Sequence, residues 1–236
     1  MYLDPFHQTD NGLISIQPEQ ASRFAKEVAQ DFNPLHNPDS KRFCVPGDLL
    51  FALVLAKTGL SSKMVFNYTG MVGKDVPLNF PTDAGNEFNI TDNQDKKYLD
   101  VTRSGATSTD LAMIESFTRA YVAFSGHSFP HILVPLMQEH NVMINPERPM
   151  VIYESMAFEF DRLDLQAPTL EFANSELKAQ GKRGTVTLHF NVIDNGETVG
   201  KGCKTMVLSG LREFDGVQVQ ALVDAYEVTK ASYQAS

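Results

Sequence analysis

The chain reads as an α+β protein in which antiparallel sheets wrap around a central apolar helix. Three observations carry that reading. Residues 49–56 contain no polar side chain, so a helix there leaves no face for water and must be buried. After it, the apolar period switches from that of a helix to the alternation of strands. The order of helix followed by strands then recurs in the second half, without close repetition of sequence. The expected organisation is two units, residues 1–126 and 127–236, whose sheets fuse side by side.

Each element has its own signal. A first helix is expected over residues 18–30, where Pro18 suits the opening position and Ala21, Phe24, Ala25, Val28 and Phe32 share one face. Pro34 disfavours helical geometry at Asn33 and ends it. Asn33-Pro34 and Asn37-Pro38-Asp39 are turn signals, so residues 33–46 form an irregular loop. The buried helix runs from Gly47 to Gly59, with Asp48 complementing its dipole and Gly59 as its stop. Strands are expected over residues 64–68, 76–80, 87–91, 98–103 and 118–124, with a turn region over 79–86. Residues 112–124 are apolar enough for a helix, but their alternation favours a strand. A short helix over 128–137 is disturbed by Pro135. Strands follow over 150–160, 169–179, 185–193 and 198–211, two of them joined at Asn195-Gly196, a strong hairpin signal. An amphipathic helix over 217–232 closes the chain, with Val219, Leu222, Val223 and Tyr226 on one face.

Composition excludes several classes. The 236 residues and their ordinary apolar fraction suffice for a full core. A net charge of -9 argues against a non-specific grip on nucleic acid, which needs clustered Lys and Arg. No run is long enough to span a membrane, and the N-terminal residues lack the basic-then-apolar pattern of a secretion signal. Cys44 and Cys203 are the only cysteines. One disulfide is possible, but a reduced, cytoplasmic protein is the simpler expectation.

The chemistry concentrates between residues 29 and 55. Asp31 and His36 place an acid and a base on the irregular segment, and Gly47 opens the apolar helix shortly after. Phe24-Ala25, Asp31-Phe-Asn33-Pro34-Leu-His36-Asn-Pro-Asp39 and Val45-Pro-Gly47-Asp-Leu together resemble the (R)-specific enoyl-CoA hydratases and related MaoC-like dehydratases. The resemblance is specific over about thirty residues. It implies a double hot-dog fold, each antiparallel sheet wrapped around a central helix. It also implies hydration of trans-2-enoyl thioesters, or dehydration of (R)-3-hydroxyacyl thioesters, carried by coenzyme A or acyl carrier protein. Asp31 would match the base that takes a proton from water, and His36 the group that holds the same water. The N–H of Gly47 would match the donor to the thioester oxygen, and Asn33 the residue that orients the loop. Lys41 and Arg42 are candidates for the phosphates of the carrier.

Three departures stand beside the resemblance. Pro46 occupies the position of the family's histidine, the loop from His36 to Gly47 is short, and the motif sits in the N-terminal half. They motivate two rival readings, a non-catalytic acyl-thioester or lipid binder and an acyl-CoA thioesterase. No cofactor or metal is called for. His127 and His131 are spaced for a metal pair, but no acidic ligands accompany them. Cys44 reads as a small buried residue. The chain is expected to be a monomer or a homodimer.

Overall fold

The computed structural model describes residues 1–235. The N-terminal segment forms a hairpin, β1 (Gln8–Asp10) and β2 (Leu13–Ser15), turned by Asn11 and Gly12 at positive φ. The first helix is α1 (Pro18–Arg23), continued by a π-helical turn over Phe24–Val28. Ala29 N–H bonds back to Phe24 O at 3.1 Å, and Asp31 N–H to Ala25 O at 2.8 Å. Such wide turns recur where a functional group must be re-aimed. A 3₁₀ turn over Pro34–His36 follows, fixed by Asn33, whose Oδ1 accepts from Leu35 N–H at 3.1 Å.

Helix α2 (Gly47–Thr58) is the apolar helix, with every residue from Asp48 to Leu55 buried. Gly59 ends it at φ +87°. Then come β3 (Leu60–Tyr68), β4 (Leu78–Asn79), β5 (Glu87–Asp92) and β6 (Lys97–Ser108). Residues 112–124 are not the favoured strand. They lie in α3 (Leu111–Gly126), capped by Asp110, whose carboxylate accepts from Ala112 and Met113 N–H. Its buried residues Met113, Ile114, Phe117, Thr118, Tyr121, Val122 and Ser125 follow the helical period, which prevails over the accidental alternation.

The rest is α4 (Ser128–His131), α5 (Leu133–Glu139), β7 (Val142–Met143), β8 (Val151–Phe160), β9 (Thr169–Gln180), β10 (Arg183–Asp194), β11 (Glu197–Ser209), β12 (Arg212–Glu213) and α6 (Gly216–Gln234). Ten strands form one antiparallel sheet in the order β1-β2-β4-β5-β6-β3-β8-β11-β10-β9, and β7 pairs with β12. The early and late strands meet at the β3–β8 seam, where Val65 pairs with Ala157 and Phe66 with Met156.

Helices α2 and α3 pack together against one face of this sheet. Phe51 of α2 touches Phe66 at 5.3 Å, Tyr121 at 4.7 Å and Phe158 at 6.3 Å between ring centroids. Phe117 of α3 meets Phe158 and Phe160 at 5.5 and 5.0 Å. This aromatic cluster draws on both halves of the chain. A second core gathers Leu133, Leu136, Leu188, Met206, Leu208 and Val219 under α5 and α6. No helix among the described residues is long and apolar enough to cross a membrane.

Candidate functional site

Asp31 emerges from the π turn after Gln30, which takes φ +54°. Its Oδ1 accepts from Asn33 N–H at 2.9 Å, leaving Oδ2 to face the His36 Nε2 at 3.6 Å. The gap exceeds a direct hydrogen bond and suits one water held by both groups. His36 Nδ1 lies 2.7 Å from Cys44 O. A carbonyl only accepts, so Nδ1 carries a proton and Nε2 is the reactive nitrogen. Behind Asp31 the end of α3 comes so close that a Cβ on Gly126 would stand 1.7 Å from Ala29 O. Only glycine permits that approach.

The electrostatics follow from burial and pairing. Burial opposes a charged His36, but the Asp31 carboxylate and the Cys44 carbonyl more than offset it and raise its pKa. Burial likewise opposes Asp31, yet His36 and the Asn33 N–H hold it below the usual carboxylate range. The pair therefore favours imidazolium beside carboxylate.

These groups line a cavity of about 300 Å³, together with Asn33, Cys44, Pro46, Gly47 and Asp48. The amino end of α2 opens into it. Leu49 and Leu50 N–H reach Pro46 O, so Gly47 and Asp48 present the remaining N–H groups of the first turn. A second, mainly apolar cavity of about 190 Å³ adjoins it. Phe129, Leu133, Ile144, Leu222 and Tyr226 line that one, and Asp31, Asn33, Val151, Lys204 and Met206 belong to both walls.

The structure thus brings Asp31, His36, Asn33 and Gly47 together. Lys41 and Arg42 line neither cavity. Arg42 is exposed, with its guanidinium 3.6 Å from Met150 Sδ. Burial pushes the Cys44 thiol up to about 12, so it is no nucleophile, and both cysteines are free. His127 bridges Ala123 O and the Gln30 side chain rather than pairing with His131.

A second group of polar residues, most of them outside the stretch from 29 to 55, also reaches the cavities. Lys204 is 5 % exposed, and its Nζ donates to Ser125 Oγ at 2.5 Å. Ser125 Oγ lies 2.6 Å from Asp48 Oδ2, while Asp48 Oδ1 is buried without a hydrogen-bond partner among the described residues. Lys204 also sits 4.2 Å over the Tyr153 ring. Tyr153 and Tyr121 join hydroxyls, and Tyr68 donates to Gly47 O at 3.0 Å. A signal did exist for Lys204. It shares the inward alternation of Met206 and Leu208 on β11, where a charged residue is out of place.

Fold and site together define an α+β protein with a buried histidine beside a partly exposed carboxylate at the amino end of a helix. The chain belongs to the family described as "Protein of unknown function (DUF3581)", whose profile matches residues 1–217. No curated protein matches it. Among solved structures it is similar to a "MaoC-like dehydratase", at 10 % identity and TM-score 0.42, covering 87 % of this chain and 98 % of that one. It is similar to an acyl-CoA thioesterase II from Mycobacterium marinum, at 10 % identity and TM-score 0.38, covering 92 % and 99 %. A third is the peroxisomal multifunctional enzyme type 2 of Drosophila melanogaster, at 12 % identity and TM-score 0.44. There 82 % of this chain matches 47 % of the other. Likenesses this distant add nothing to the chemistry, which rests on the chain's own geometry.

Proposed function

We propose that the protein is a hydratase or dehydratase of 2-enoyl and (R)-3-hydroxyacyl thioesters, borne on coenzyme A or acyl carrier protein. The observation that carries this is the Asp31–His36 pair, 3.6 Å apart on the wall of a cavity entered by the α2 amino terminus. In hydration, Asp31 takes a proton from the bound water as its oxygen attacks Cβ. Negative charge moves to the thioester oxygen, where the N–H of Gly47 and the α2 dipole stabilise it. His36 returns a proton to Cα. Proton transfer from Asp31 to His36 then restores the starting charges. Asn33 holds Asp31 through its backbone and the loop through its side chain.

The same reading makes the fold a double hot-dog. Supporting it are the buried helix α2 and the half-buried helix α3, on one face of a ten-stranded antiparallel sheet. In the proposed division into 1–126 and 127–236 both helices belong to the first unit, and α3 reaches the second through Phe117, which packs on Phe51 and on Phe158 and Phe160. A cytoplasmic location and a single subunit or a dimer accompany this proposal.

The test is product analysis. Incubation with trans-2-enoyl-CoAs of several chain lengths is expected to yield the (R)-3-hydroxyacyl product, resolved by chiral chromatography. An (S) product, or none across the series, would remove the reading.

A further inference from the structure

The acid–base pair leaves Lys204, Ser125 and Asp48 unused. All three are buried, at 5, 4 and 6 % exposure, and they form one hydrogen-bonded line between β11, α3 and α2. Lys204 makes no ion pair with a carboxylate among the described residues, and its ammonium or amine group hydrogen-bonds Ser125. A lysine buried this way, touching a hydroxyl and stacked on an aromatic ring, is an expensive feature for mere structure. Ser125 and Lys204 both face the apolar cavity, and Lys204 reaches the polar one as well.

We propose that Ser125 and Lys204 are a nucleophile–base dyad for hydrolysing acyl thioesters whose chain occupies the apolar cavity. The substrate class is that of the proposed function, and the chemistry is different. The required parts are a nucleophile within hydrogen-bond reach of a base, and a third group that orients the base. Ser125 Oγ and Lys204 Nζ are 2.5 Å apart, and the Tyr153 ring holds the amine from beneath at 4.2 Å. Ser–Lys pairs form one variant of the nucleophile–base arrangement.

Two proton arrangements fit the line. With Lys204 charged, Nζ donates to Oγ and Oγ donates to an ionised Asp48. With both ends neutral, Asp48 donates to Oγ, and the Ser125 proton points at a free amine. Burial favours the second, since it lowers the Lys204 pKa and raises that of Asp48. From that state Oγ bonds to the thioester carbonyl carbon as its proton passes to Nζ. The C–S bond breaks, and the thiolate leaves with the proton from Nζ. The free amine next deprotonates a water that attacks the Ser125 ester. Oγ departs with that proton, and a carboxylic acid is released. The sum is thioester plus water giving acid plus thiol.

Saturated acyl-CoAs separate this from hydration, because they have no double bond to hydrate. Wild-type protein is expected to release free thiol from saturated acyl-CoAs, read with a disulfide dye. Rapid quench and peptide mass analysis should find one acyl group on Ser125. Ser125→Ala and Lys204→Met should each lower release by roughly 10³-fold or more, with circular dichroism reporting that each stays folded. Absence of release above the uncatalysed rate by wild type overturns the dyad and leaves hydration standing. Release by folded Ser125→Ala at the wild-type rate overturns it equally. Hydration failing while saturated thioesters are cleaved would sink the proposed function and keep the dyad.

Discussion

Because the His36 Nδ1–H donates a hydrogen bond to the Cys44 carbonyl, only its Nε2 edge is left for Asp31, 3.6 Å away. The two pKa shifts have opposite signs and define a pH window. The raised pKa of His36 contributes stability that is complete below its ordinary value of 6.5 and is lost as pH rises through the folded value. The lowered pKa of Asp31 contributes stability present above its ordinary value of 3.8 and lost as pH falls through the folded value. The melting temperature of wild type relative to His36→Asn is therefore expected to be highest between pH 3.8 and 6.5 and to shrink toward alkaline pH. An advantage that grows with pH would contradict the pairing. At this scale the sequence was readable for Asp31, His36 and Gly47, which lie close together in the chain. Lys204 and Ser125 were not, because β11 and α3 meet the site only through the fold. Lys41 and Arg42, chosen by proximity in sequence, lie away from both cavities.

At the scale of elements, Gly126 sets how closely α3 approaches the segment carrying Asp31. Gly126→Ala must push the Ala29 carbonyl away, since backbone lies within 1.7 Å of the new Cβ. The expected outcome is lower stability together with lost activity, measured by denaturant unfolding and by turnover. Unchanged values would mean the approach is looser than drawn. Asp110 is a simpler case. Its carboxylate caps α3 through Ala112 and Met113 N–H, and Asp110→Ala should cost about 1 kcal/mol in denaturant unfolding. That cap was the overlooked sign that residues 112–124 are helical. Alternation alone cannot separate a buried strand from a buried helix, because both lack a polar face. The apolar helix α2 was legible since its eight successive apolar residues leave no second interpretation.

Across the whole molecule, the β3–β8 seam and the shared aromatic cluster tie the early and late strands into one cooperative unit. Phe158 is 2 % exposed and touches Phe51, Phe66 and Phe117. Phe158→Ala should cost about 3–5 kcal/mol and shift one transition rather than split it. Two separate transitions in calorimetry would show that the halves unfold independently. The helix-then-strand order was visible in the sequence, but the joining strands were not, because nothing local encodes which edges pair.

Loss of the conjugated enoyl-thioester absorbance, compared between wild type and Asp31→Asn at equal concentration, tests the acid–base pair most directly. Wild type is expected to consume the absorbance, and the folded variant to be slower by about 10²–10⁴-fold. Equal rates in the two proteins would contradict a chemical role for Asp31.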